Sequence, residues 1–178
     1  MDELSDNIKK AQKGDKAAFG EIYHLFYRKI YRYCYYNLGS EDTAFDICQE
    51  TFLKAWKALE SFSLEKGGSF QAFLFRIARN LIIDLSRKHK EIPIEIFEET
   101  LEIDQDVEGQ VDRKDNQKMV RKALEKLNDL DKQIVMLFYF EEMSGSEIAK
   151  VLNMKEGAMR VRLHRSLKKL KEEITHGR

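Results

Sequence analysis

"DICQETFLKAW", residues Asp46 to Trp56, spaces its apolar side chains as a helix does. Advancing about 100° per residue brings Cys48, Phe52, Ala55 and Leu59 together on one side, the pattern of a helix resting on a core. The other side holds Asp46, Gln49, Glu50 and Lys57, with Leu53 among them and Trp56 at the edge. A leucine and a tryptophan beside acidic and amide groups on a solvent-facing side call for a purpose other than packing. The stretch predicts a helical fold and a surface built for contact.

The same period extends outward in both directions. Upstream, Phe19, Ile22, Tyr23, Phe26, Ile30, Tyr33 and Cys34 recur at three and four residues, a tyrosine-rich face that reads as core. Gly39 breaks this helix and Ser40 caps the next. Downstream, residues 60–69 read as a loop, with Gly67-Gly68 as its clearest breaker. Ser69 then caps a helix over 70–88, with Phe70, Leu74, Ile77, Ala78, Leu81 and Leu85 inward. Its outward side carries Arg76, Arg79, Asn80, Ile83 and Arg87.

From residue 91 to about 116 the period dissolves around Pro93 and an acidic run, which reads as a flexible linker. Periodicity resumes at Met119, and three helical pieces follow at about 131–141, 146–152 and 156–173. The fold class read from this pattern is all-α. Two small helical domains, 1–90 and 117–178, are joined by the linker 91–116.

Composition narrows the function classes. The chain has 178 residues, one proline, 35% charged and 43% hydrophobic residues, as expected of a mostly helical soluble protein. No apolar run reaches the ~18 residues of a membrane span, and "MDELSDNIKK" is no signal peptide. Cys34 and Cys48 sit in apolar helical patterns and read as reduced core thiols of a cytoplasmic protein. The histidines are scattered, so no metal and no cofactor is expected. No nucleophile with a base, no carboxylate pair in an apolar setting and no phosphate-binding glycine loop suggests an enzyme or a small-molecule substrate.

Net charge is zero, yet its distribution points to nucleic acid. Residues 91–115 hold ten acidic side chains against Arg113 and Lys114, whereas residues 76–90 hold five Lys or Arg against Asp84. Residues 155–171 hold seven Lys or Arg against Glu156 alone. Two basic blocks separated by an acidic belt make the electrostatic footprint of a DNA-binding chain.

The second basic block has a recognisable layout. In "MSGSEIAKVLNMKEGAMRVRLHRSLKKL", Ser144 and Glu147 have capping-box spacing and Ile148, Ala149 and Leu152 form a short apolar stripe. "NMKEG" makes a tight turn, and Met159, Leu163, Ser166 and Leu170 face one way in the second helix. The opposite arc carries Gly157, Ala158, Val161, His164, Arg165 and Lys168, flanked by Arg160 and Arg162, with Lys155 just ahead. This is a helix-turn-helix whose second helix suits a major groove, small residues near base edges and cations near phosphates.

Three motifs in order carry a resemblance: Asp46-x-x-Gln49-Glu50-x-Phe52, "RIARN" (Arg76 to Asn80) with Asp84, and Glu147-Ile148-Ala149 followed by "RLHRS". The chain resembles bacterial RNA polymerase sigma factors of the extracytoplasmic-function (ECF) group from about Lys9 to Glu173. The resemblance implies docking on the polymerase's coiled-coil clamp through Asp46, Gln49, Glu50, Leu53 and Trp56. It implies −10 element contacts from Lys66, Arg76, Arg79, Asn80 and Arg87. It implies −35 element contacts from Lys155, Gly157, Ala158, Arg160, Val161, Arg162, His164, Arg165 and Lys168. Partners implied are core RNA polymerase, promoter DNA and an anti-sigma protein. The loop 61–69 is implied to capture a flipped base, with Phe62, Lys66 and Phe70 as either pocket walls or core. Trp56 is either an interface anchor or a cover over neighbouring core side chains. The linker is either a channel-threading segment or a solubilising spacer. Family members often have tryptophan at Phe73, an aromatic at Gly145 and Thr-Val at Ala158-Met159, so promoter preference does not carry over.

Overall fold

The computed structural model describes residues 3–63, 69–90, 122–124 and 126–176. The chain divides into two compact units, Met1–Leu101 and Glu102–Arg178. Every described element is a helix. The acidic linker 91–116, Lys66 and the Gly67-Gly68 breaker lie outside the described residues.

In the first unit, α1 (Glu3–Gln12) leads to α2 (Lys16–Leu38), α3 (Glu41–Ala58), a short 3-10 turn (Leu59–Ser61) and α4 (Phe70–Lys90). The periodicity above does not announce α1, because only Ile8 and Ala11 of it are buried. Asp15 caps α2, its carboxylate accepting from the backbone N–H groups of Ala17 and Ala18 at 2.9 and 3.1 Å. Gly39 ends α2 with φ 73°, a left-handed conformation that favours glycine, and Ser40 caps α3 through Thr43 N–H. Ser69 caps α4 through the N–H of Ala72 at 3.2 Å.

Helices α2, α3 and α4 pack together around Phe26, Ile30, Tyr33, Cys34, Cys48, Phe52, Leu74, Phe75 and Ala78, all buried. Both thiols are free and enclosed, as their apolar setting predicts. The α3 core face is the expected one: Cys48, Phe52, Ala55 and Leu59 are at most 3% exposed. In α4 the buried arc is wider than the predicted stripe, since Ala72, Phe75 and Ile82 join it while Ile77 and Leu85 are half-buried. The tyrosines of α2 divide by spacing. Tyr33 is fully buried, whereas Tyr23, Tyr27 and Tyr31 are half-buried and run with the buried Tyr35 as a ladder of residues four apart, ring centroids 5.2, 6.0 and 6.3 Å apart.

In the second unit, α5 (Asp129–Tyr139), α6 (Gly145–Leu152) and α7 (Glu156–His176) pack on one another. Helix α5 starts two residues before the expected position because Asn128 accepts from Asp131 N–H at 2.9 Å and sets the cap there. It ends at Tyr139, and the chain then turns through Glu142, whose φ is 52°. The predicted capping box is present: Ser144 Oγ accepts from Glu147 N–H, and the Glu147 carboxylate accepts from Ser144 N–H at 2.8 Å. Asn153 in left-handed conformation closes α6, making the tight turn into α7. Leu163, Leu167 and Leu170 of α7 lie on Leu124, Leu127 and Val135.

Candidate functional site

On α3 the contact surface has a definite shape. Asp46 and Glu50 are exposed, Glu50 pairing with Lys54 at 3.3 Å, and Leu53 is 61% exposed. Gln49 is half-buried because its amide donates to the Tyr23 hydroxyl at 3.2 Å, which fixes the side chain against α2. Trp56 is half-buried and stands edge-on to Phe19, ring centroids 4.9 Å apart. Trp56 therefore covers Phe19 in part and stays partly accessible.

Between the two helices runs a cleft of about 290 Å³. Lys16, Phe19 and Tyr23 of α2 form one wall, and Gln49, Phe52, Leu53 and Trp56 of α3 the other. Periodicity assigns Phe19 and Tyr23 to the α2 core, whereas both are half-buried at the wall of this cleft, and Lys16 is unmarked in the sequence. Lys16, Phe19 and Tyr23 are spaced as one face of α2, but only the docking of α3 shows that this face borders the same cleft. An apolar floor with a fixed amide and a lysine at its rim suits a protein segment that brings apolar side chains ringed by polar groups.

On α4, Arg76, Asn80 and Arg87 are exposed as expected. Arg79 is not. It is half-buried, with its Nε enclosed and without a hydrogen-bond partner, because the wide buried arc of Phe75 and Ile82 draws its position to the seam. Burial holds the Tyr33 hydroxyl well above the usual phenol range, and the nearby Arg79 guanidinium partly offsets this. Arg79 thus serves the interior of the unit with part of its side chain. Phe70 is 2% exposed and packs in the core. Phe62 is half-buried on Phe70 and Phe73, at 5.3 and 4.9 Å, and leads into the loop. Gln12 donates from its amide to the carbonyls of Leu59 and Phe62 at 3.0 and 2.7 Å, so α1 anchors the entry to that loop.

Lys155, just ahead of α7, and Gly157, Ala158, Arg160, Val161, His164, Arg165 and Lys168 on it are all exposed. Met159 and Ser166, 1% and 2% exposed, mark the opposite, buried side. Arg160 is engaged by Glu156 one turn earlier. Arg162 departs from the expected set: it is half-buried and donates to the Asp131 carboxylate of α5 at 2.8 Å. Its reach is committed to holding α7 against α5, so it sits between the outward arc and the core. Lys169 likewise donates to the Lys126 carbonyl at 2.6 Å. The two departures at Gly145 and Met159 meet in space: a Cβ on Gly145 would stand 2.8 Å from Met159 Cε. The longer methionine fills the room that a glycine leaves.

Among the described residues no three His, Cys, Asp or Glu side chains gather as metal ligands, and no helix is long and apolar enough to cross a membrane.

Known proteins share this arrangement. The family described as Sigma-70 region 2 matches residues 22–92, and that described as Sigma-70, region 4, matches residues 117–170. The chain is 30% identical to the ECF RNA polymerase sigma factor SigW of Bacillus subtilis, over 96% of each chain. It is 31% identical to the ECF RNA polymerase sigma factor BldN of Streptomyces coelicolor, over 94% of this chain and 64% of that longer one. The fold matches CnrH, solved in complex with the cytosolic domain of CnrY, with TM-score 0.74 and 24% identity over 98% of this chain and 99% of that one. It matches equally the sigma factor RpoE of Bartonella quintana, solved with the anti-sigma factor NepR, with TM-score 0.74 and 24% identity over 90% of this chain and 98% of that one. Motifs, helical order and relatives agree: the chain belongs to the ECF RNA polymerase sigma factors.

Proposed function

We propose that this sigma factor directs core RNA polymerase to promoters by docking through α3 and reading DNA with α4 and α7. The observation that carries the docking assignment is the α2–α3 cleft, where Leu53 stands out beside Gln49 and Trp56. Residues 1–90 then engage the polymerase and the −10 element, and residues 117–178 the −35 element. Arg76, Asn80 and Arg87 meet DNA from α4, with Lys66 contributing from the loop and Arg79 acting mainly within the unit. At α7 the contacts come from Lys155 just ahead of the helix and from Gly157, Ala158, Arg160, Val161, His164, Arg165 and Lys168 on it, while Arg162 orients the helix. The chain supplies specificity and helps melt the duplex in the cytoplasm, and the phosphodiester chemistry belongs to the polymerase. An anti-sigma protein holds the factor inactive by covering these surfaces. Support for that partner is the company in which the RpoE neighbour was solved.

Binding to purified bacterial core RNA polymerase tests the reading, wild type beside a Gln49→Ala, Trp56→Ala double mutant. Tight binding by the wild type and its loss in the mutant is the expected result. Equal binding by both moves the contact elsewhere, and no binding by folded wild type ends the proposal.

A further inference from the structure

We propose that Gly157 and Val161 of α7 form a slot that reads the 5-methyl group of a thymine in the upstream promoter element. The proposal rests on the assignment of α7 as the −35 reader. Advancing about 100° per residue, Gly157, Val161 and Lys168 fall within an arc of about 40°, at the middle of the outward side. Val161 is 49% exposed there, the one large apolar side chain of α7 so presented among the described residues.

The glycine has no reason within the protein. A Cβ built on Gly157 meets nothing within 4 Å. Glycine weakens a helix relative to alanine, so neither packing nor helix formation accounts for it. What it leaves is an open notch one turn ahead of Val161, through which a base edge can approach closely.

The chemistry of the groove identifies what fits. Base edges in the major groove present hydrogen-bond donors and acceptors, and thymine alone adds an apolar group, its 5-methyl. Valine set over a donor or acceptor excludes water and returns no hydrogen bond, so it disfavours guanine, adenine and cytosine at that place. From Gly157 to Val161 the helix rises about 6 Å, against roughly 3.4 Å per base-pair step, so the slot spans one thymine and its neighbour. Two of the flanking cations are engaged within the protein. Arg162 is held by Asp131 and Arg160 by Glu156, both on the flanks of the arc. Lys168 lies about 10 Å further along the axis, where it meets phosphate.

The test uses holoenzyme assembled from this chain and core polymerase. Promoter duplexes carry a randomised upstream block synthesised with either thymine or uracil, all other positions being unchanged. Wild type is expected to enrich at least one thymine in that block about fourfold over the uracil block, the value of one buried methyl. Val161→Ala should lose this difference. Gly157→Ala, which has room in the free protein, should melt no lower than wild type yet bind the enriched sequences more weakly. No thymine enriched, equal enrichment of uracil, or wild-type binding by Gly157→Ala each overturns the slot. Arg165→Ala with Lys168→Ala separates the two readings. If that pair leaves upstream binding intact, the −35 assignment falls and takes the slot with it. If the pair weakens binding while thymine and uracil remain equivalent, the slot alone falls.

Discussion

Replacing Leu53 with alanine should weaken polymerase binding while leaving the fold untouched. Leu53 keeps 61% of its surface in water in the free chain. Fully burying a leucine is worth about 1.5–3 kcal/mol, so covering the remaining surface contributes about 1–2 kcal/mol. Alanine retains the Cβ, which brings the expected loss near the lower figure, about 1 kcal/mol or a fivefold rise in Kd. Stability should move by no more than about 0.5 kcal/mol, because an exposed side chain leaves no cavity. The contrast is Phe52→Ala one position away: Phe52 is 3% exposed, and its loss should cost about 3–5 kcal/mol of stability. The assay is equilibrium binding of each variant to immobilised core polymerase, with thermal unfolding measured alongside. A Leu53→Ala variant whose Kd stays within about twofold of wild type refutes the docking geometry. A variant that melts several degrees lower refutes the claim that Leu53 stands outside the core.

Three other perturbations follow from particular contacts. Gly145→Ala and Met159→Val should be coupled, since the alanine Cβ enters the space of Met159 Cε and valine removes that atom. The double variant should be about 0.5–1 kcal/mol more stable than the sum of the single effects in denaturant unfolding, and strict additivity would show that the contact is slack. Asp131→Asn cuts the ion pair to Arg162, whose side chains are 19% and 42% exposed, so the loss is expected to be about 1 kcal/mol or less. The difference from wild type should shrink in high salt, and a salt-independent loss would point to packing instead. Burial holds the Cys48 thiol up at about 12 and raises Cys34 as well. A raised thiol stabilises the fold below the ordinary value of 9, and this contribution is lost as pH climbs from there towards 12. Both thiols should resist a thiol reagent at pH 8 until denaturant is added; rapid labelling of the native chain contradicts their enclosure.

Much of the fold is legible as local signal. The caps at Ser40, Ser69 and Ser144 and the break at Gly39 each depend on a few neighbouring residues, and periodicity marks α2, α3, α4 and α7. Helix α1 carries too few buried positions to show a stripe, so only its packing on α2 reveals it. The site residues divide on the same ground. Those whose role depends on exposure alone, such as Leu53, Arg76 and Arg165, stand where the period puts them. Arg79 does not, because the buried arc of α4 is wider than the stripe, and Arg162 does not, because Asp131 lies on another helix, to which a helical wheel of one segment is blind. The place of Lys16, Phe19 and Tyr23 at the cleft is hidden for the same reason, as is the fit of Met159 to Gly145. What a sequence hides here is which side chains meet across helices.

Trp56 is the only tryptophan in the 178 residues, and its ring rests against Phe19 at the wall of the α2–α3 cleft. Biosynthetic incorporation of fluorotryptophan therefore gives the free chain a single fluorine resonance, located at the surface in question. Unlabelled polymerase contributes nothing to that spectrum, however many tryptophans it holds. An edge-on aromatic neighbour shifts the fluorine signal by its ring current, so a partner that parts Trp56 from Phe19 is distinguishable from one that covers the pair as it stands. The chain carries its own probe at the point where a partner arrives.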